Sequence, residues 1–330
     1  MTDLTKQAVT GQTPTRTRAF LSEDAIQVFY RLFAAFLICL ALSLLSGSFL
    51  SVNNILNVLR QTSLLFFVAS GLTLVVLTAG LDLSVGANVA LSACLSGTVI
   101  HQTGSPTLGV LVGLATGGII GLLNGVMVTA LRIPSFIATY GMLWVLNGLT
   151  YWYMAGDTIH GFPPGFRQIG SGYLLGLPVP VYLLLIFLAI GTAFAQRTTW
   201  GQEIYATGAN PIAARLSGIP VSRRLLLVYA VSGTMAGLAS IIFLARLNSA
   251  EADIGESLTL PAIAAVLIGG TSLFGGTGTV FGTFVGALIL TLVLNGMNLL
   301  QVSASWQPLV TGIIVVLAVW LDMKTRRHAP

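Results

Sequence analysis

TLGVLVGLATGGIIGLLNGVMVTAL, residues 107–131, runs for 25 positions without one charged side chain. As a helix it rises about 37 Å, more than the roughly 30 Å hydrocarbon core of a bilayer. Gly113, Gly117, Gly121 and Gly125 recur at every fourth position and fall on one smooth face, the small-residue pattern of helices that approach closely in a membrane. From sequence alone that face serves either permanent packing or sliding.

Comparable apolar runs flank it at about 32–50, 57–80, 84–102, 135–155, 178–196, 225–245, 258–274, 279–300 and 305–322. The chain therefore reads as an all-α integral membrane protein of about ten transmembrane helices with both termini on one side. Two runs are diluted, 84–102 by Gly86 and Ser92, and 258–274 by Gly269 and Gly270. Composition agrees: of 330 residues 55% are hydrophobic and 8% charged, with mean hydropathy +0.90, where a soluble domain carries about 25% charged residues. A soluble enzyme on a single anchor is excluded.

Sorting the basic residues by side orients the bundle. Lys6, Arg16, Arg18, Arg31, Arg132, Arg197, Arg215, Arg223, Arg224, Lys324, Arg326 and Arg327 fall on one side, and only Arg60, Arg167 and Arg246 on the other. The Lys/Arg-rich side is cytoplasmic. Both termini are thus expected inside, as tails over 1–28 and 323–330 bounding a transmembrane domain at 29–322, and the first 28 residues lack the apolar core of a cleaved signal. The same asymmetry accounts for the net charge of +5 through membrane orientation and anionic lipid, without nucleic acid as a partner.

Lys6 and Lys324 are the only lysines, and neither follows a glycine. A phosphate-binding loop of the form G-x-x-x-x-G-K-[ST] is therefore absent. Cys39 and Cys94 lie in apolar stretches as small hydrophobes. His101 and His160 stand apart from each other and from cysteine, so neither a metal site nor a bound cofactor is expected.

Two connections are long. The outer one, 156–177, has the length to fold over a pore mouth; its Asp157 and Arg167, with Arg246, Glu251, Asp253 and Glu256 of a second outer loop, suit either docking of a binding protein or plain solvation. The inner one, 197–224, contains TTWGQEIYATGANPIAARLSGIPVSRR, whose middle has the punctuation of a short helix: Asn210 as N-cap, Pro211 at the first position, Ala213, Ala214 and Arg215 propagating, Gly218 as a left-handed stop. So short a helix is ordered by packing, either on its own bundle or on a partner reached through Ala213, Ala214 and Ser217.

GANPIAARLSGIPVSRR at 208–224 resembles the cytoplasmic coupling loop of the ribose-type sugar permeases, membrane subunits of bacterial binding-protein-dependent ABC importers of the ribose, arabinose and xylose group. LTAGLDLSVGANVAL at 77–91, LRIPSFIATYGMLWVLNGL at 131–149 and LPAIAAVLIGGTSLFGGTGTVFGTFVGALIL at 260–290 agree with that family. The resemblance implies an inner-membrane permease pairing with a second copy or paralogue, on an ATPase with two cassettes often fused in one chain. A periplasmic sugar-binding protein would deliver the monosaccharide. ATP and Mg would then sit on the ATPase, and Gly208, Asn210, Pro211, Ala213, Ala214, Arg215, Ser217 and Gly218 would carry the coupling. The chain itself would be no enzyme.

Translocation candidates are fewer. Asp82 is the only acidic residue between Leu32 and Tyr153, and either caps the third span or marks a broken helix near the pathway. GGTSLFGG at 269–276 is a candidate second break. Tyr140, Trp144, Asn147 and Tyr151 share one helical face that suits a hydroxylated ring, although aromatics also belong at the outer interface. Asn124 and Asn295 serve either the pathway or interhelical hydrogen bonding. Gly278, Gly282 and Gly286 repeat the small-residue device in the ninth span, and Gly233 with Gly237 in the seventh. The rival function is a proton- or sodium-coupled secondary transporter, which usually needs a relay of embedded ionisable groups.

Overall fold

The computed structural model of the chain describes residues 17–326. Lys6, Arg16, Arg327 and most of the expected tails lie outside them. The helices are α1 Thr17–Leu45, α2 Val52–Leu77, α3 Val85–Thr103, α4 Pro106–Thr129, α5 Ser135–Met154, α6 Pro164–Ser171 and α7 Val179–Arg197. They continue as α8 Thr199–Ala209, α9 Pro211–Leu216, α10 Val221–Leu247, α11 Thr259–Ile268, α12 Val280–Leu299 and α13 Gln307–Arg326. Hydroxyl side chains start several of them. Ser51, Ser105 and Thr279 accept amide hydrogens in the first turns of α2, α4 and α12, satisfying donors that have no partner within the helix.

Among the described residues, seven helices are long and apolar enough to span a bilayer: those within α1, α2, α4, α7, α10, α12 and α13. Helices α3 and α5 have spanning length, 19 and 20 residues, but a more polar sequence. The expected eighth span over 258–274 is corrected. Helix α11 has only ten residues, about 15 Å, because Gly269 ends it and Gly270 turns the chain with φ +78°. The first helix also starts well before 32, inside the segment expected as a tail.

Helix α2 is the core. From Thr62 to Leu77 nearly every side chain is buried, with Phe66 and Phe67 fully so, as its all-round apolar sequence requires. It contacts α7, α10, α11 and α12. The glycine face of α4 meets α10: a Cβ at Gly117 would overlap the Gly233 carbonyl and lie 2.8 Å from Gly237 Cα, and one at Gly121 would overlap the Tyr229 carbonyl. The two ladders therefore face each other, backbone against backbone. On α12, Gly282 and Gly286 pack likewise on Gly269 and Ala265. Gly278 is corrected out of that helix, since it precedes the Thr279 cap in extended turn geometry with φ +137° and lies against Thr271.

The bundle has two ends, one carrying α8 and α9, the other α6. At the α6 end, β1 (Ile159–His160) pairs antiparallel with β4 (Ser249–Ala250), and β2 (Tyr173–Leu174) with β3 (Leu177–Pro178). Phe162 and Phe166 bury against Ile241, Leu244 and Ala245 of α10. The long connection expected over a pore mouth is thus an ordered cap on the ends of α3 and α10.

Two non-helical stretches of chain run into the bundle from opposite ends. Residues 78–84 leave α2 at the α9 end and climb along α10, with Gly80 beside Tyr229 and Asp82 beside Ser232. Ser232 stands about 16 Å along α10 from Val221. From the α6 end, residues 249–258 descend along α3: Ala250 packs on Gly97, the Glu251 carbonyl accepts from Cys94 Sγ, and Gly255 lies against Gly86. Gly97 to Gly86 is again about 16 Å of helix. Helices α3 and α11 consequently begin in the interior, their amino-termini in contact, with the Gly86 amide donating to Thr259 Oγ1 at 3.2 Å.

Candidate functional site

Helix α9 forms as its punctuation requires. Asn210 Oδ1 accepts from the amides of Ile212 and Ala213, both at 3.0 Å, Pro211 opens the helix, and Gly218 follows it with φ +84°. Asn210, Pro211, Ala213, Arg215, Ser217 and Gly218 are exposed, whereas Ala214 is buried against the chain's own bundle. Ala214 is therefore corrected as a partner-facing residue. The outward apolar face consists of Ile212 and Leu216, 69% and 85% exposed.

The preceding helix, α8, seats this projection. Glu203 pairs with Arg224 at the start of α10, and the Arg224 guanidinium lies 4.7 Å from the centre of the half-exposed Trp200 ring, a cation–π arrangement. Tyr205 Oη donates to the Gly278 carbonyl at 2.8 Å. Gly208 is buried with no room for a Cβ, which would overlap the Leu77 carbonyl, and that carbonyl accepts from the Gly276 amide at 2.9 Å. So the carboxyl end of α8, immediately before α9, rests on the end of α2 and on the 269–279 turn at once. Gly208 acts from within, as an anchor.

Asp82 sits at the top of the 78–84 stretch, 1% exposed. Its Oδ1 accepts from the Ser84 amide at 3.0 Å, from Ser84 Oγ at 2.7 Å and from Asn124 Nδ2 at 3.4 Å; its Oδ2 accepts from Ser232 Oγ at 3.3 Å. The carboxylate accepts from the amide of Ser84, the residue before α3 opens at Val85, and from no first-turn amide of the helix. It therefore closes the turn into α3, at a break inside the bundle. Thr139 Oγ1 and Ser135 Oγ of α5 satisfy the backbone of Leu81 and Leu83, as non-helical chain at membrane depth demands.

The other candidates do not converge on Asp82, Asn124 apart. Asn295 exchanges two amide hydrogen bonds with Asn54, 2.9 and 3.1 Å, joining α12 to α2. Tyr140 and Trp144 form an edge contact on the outer face of α5, 48% and 60% exposed, with Asn147 half-buried beside them. Three separate places result.

Residues 54–319 match the family described as branched-chain amino acid transport system / permease component. The chain belongs to that family. The permease is 40% identical over 317 residues to the ribose import permease protein of Bacillus subtilis (strain 168), covering 96% of this chain and 98% of the relative. It is equally similar, over 325 residues, to that of Escherichia coli (strain K12), covering 97% and 99%. The D-allose transport system permease protein of the same strain is 37% identical over 275 residues, covering 83% and 84%. No solved structure matches the permease.

Sequence reasoning about the permease missed Glu203, Trp200, Ile212 and Leu216. The pairing of Glu203 with Arg224, 21 residues apart, follows from the turn of the chain at α9 and has no local signal. Ile212 and Leu216 did have one: their spacing of four puts two large apolar residues on one face of a helix that begins at Pro211.

Proposed function

We propose that this permease is the membrane subunit of a binding-protein-dependent ABC importer that moves a monosaccharide of ribose type inward. A separate cytoplasmic ATPase with two cassettes drives it, a periplasmic sugar-binding protein loads it, and a second copy or paralogue completes the membrane assembly. Its place is the bacterial inner membrane, with ten passes and both termini cytoplasmic; α3 and α11 each make their pass together with the non-helical stretch before them. The observation that carries this reading is α9. A six-residue helix that points two large apolar side chains and Arg215 away from a clamped seat has the form of a knob for another protein's groove, with Arg215 of a residue type enriched among the few that dominate such interfaces.

The seat supplies the coupling. A push on α9 reaches α2 through Gly208 and Leu77, reaches α12 through Tyr205 and Gly278, and reaches α10 through Glu203 and Arg224. Of these, α10 carries both Ser232 of the Asp82 cluster and the glycine interface with α4, so closure of the cassettes biases one packing of the bundle over another. Nothing in the relatives favours the ion-coupled alternative, since each is described as a sugar import permease.

The test uses the permease reconstituted in proteoliposomes with its ATPase and binding protein. D-ribose accumulates only with ATP, and Leu216→Asp abolishes accumulation and stimulated hydrolysis while leaving insertion intact. Uphill accumulation by the permease alone, or full stimulation in the Leu216→Asp complex, overturns the reading.

A further inference from the structure

A cavity of about 720 Å³ opens between α2, α10, α11, α12 and α13 toward the α6 end of the bundle. It lies directly at the amino-terminus of α11, where the descending stretch 249–258 delivers Asp253 and Glu256 to its wall. Arg246 from the end of α10 faces it, and Gln61, Thr291 and Gln307 line it from α2, α12 and α13. Mostly apolar side chains, leucines and prolines with Phe243 and Ala304, form the larger part of the wall, and Ser257 and Thr311 add two hydroxyls.

None of Arg246, Asp253 and Glu256 forms an ion pair among the described residues. Three ionised groups gathered around one space without neutralising one another are available to a ligand. One cation and two anions, with amides and hydroxyls between them, offer donors and acceptors in mixture rather than the single sign that holds an ion. The free amides at the start of α11 add donors, and apolar walls accommodate the C–H faces of a ring. We infer that this cavity is a binding site, one in each copy of the chain, for a neutral polyhydroxylated solute of monosaccharide size.

This rests on the sugar-import reading and goes further, because it places the solute within one chain, away from the exposed aromatic face of α5. It also gives the two interior helix starts a use: the stretch that forms the wall, 249–258, touches α3 at Gly86, two residues from the Ser84 that binds Asp82. Discontinuous helices near the midplane are where transporters commonly hold their cargo. Movement passed from α9 to the 78–84 stretch would then reach the solute.

The test is protection of a thiol. In permease with Cys39 and Cys94 replaced by alanine, Ser257→Cys puts a thiol on the cavity wall and Thr158→Cys puts a control on the outer cap. D-ribose at ten times its dissociation constant slows modification at 257 about tenfold and leaves 158 unchanged. In the reconstituted importer, Glu256→Gln lowers D-ribose uptake about tenfold, the loss of one charge-assisted hydrogen bond, while stimulated ATP hydrolysis continues. Protection at 257 by L-leucine as strong as by D-ribose would reassign the cavity to a zwitterion and overturn the proposal. D-ribose import by the wild-type complex with 257 unprotected and Glu256→Gln unaffected removes the cavity alone. No D-ribose import at all removes the sugar reading and the cavity's ligand with it.

Discussion

Asp82 has four donors and no counter-cation among its partners: two serine hydroxyls, one amide side chain and one backbone N–H surround it. A buried carboxylate is tolerable when its lone pairs are filled, and costly groups are those left orphaned when it is removed. Asp82→Ala strands the Ser84 amide and Asn124 Nδ2 and is expected to cost about 1–3 kcal/mol. Asp82→Asn keeps an acceptor for Ser84 and offers Nδ2 to Ser232 Oγ, so it recovers most of that loss. Thermal unfolding in detergent separates the two; equal melting of Asp82→Ala and wild type would show that the cluster holds nothing. Spacing alone pointed to this residue, as the lone acid in a long apolar region, yet not to Ser232, 150 positions away. Only the fold brings that partner.

At the scale of elements, the α4 and α10 ladders define a surface with no slack. Gly117→Ala forces a methyl into the Gly233 carbonyl and against Gly237, all backbone, so the helices must separate, at about 1–3 kcal/mol or more. Gly141→Ala on α5 meets nothing within 4 Å and gains about 0.5–1 kcal/mol of helix propensity. Melting curves that shift alike for the two variants would refute the packing. These ladders were plain in the sequence because a period of four needs no long-range information. Helix α9 was plain for the same reason, through Asn210, Pro211 and Gly218. Its orientation was not: Ala214 faces inward because α8 and α10 seat it there, and α8 itself has no strong start signal beyond Thr198. The eighth run misled because hydropathy measures burial, and beyond Ile268 the chain at Gly269, Thr271 and Ser272 stays buried without being helical.

Across the whole molecule, the two non-helical stretches enter from opposite ends and the helices that follow meet inside, so each face of the protein has one broken entry. That arrangement has a direction only if the ends are assigned to membrane sides. The α9 end carries Arg197, Arg215, Arg223 and Arg224, and the α6 end Arg60, Arg167 and Arg246. Arg60 is engaged by Tyr173, donating to its Oη at 2.6 Å with the guanidinium 5.1 Å from the ring centre, an interfacial pairing that lowers its weight as a topological signal. The cytoplasm is therefore expected at the α9 end. Ser222→Cys and Thr158→Cys, each exposed and each introduced with Cys39 and Cys94 replaced by alanine, test it in intact spheroplasts with a membrane-impermeant maleimide. Position 158 should react at once and position 222 only after permeabilisation. The reverse order would put α9 outside, beyond reach of any ATP-driven partner, while the packing of the bundle stood unchanged.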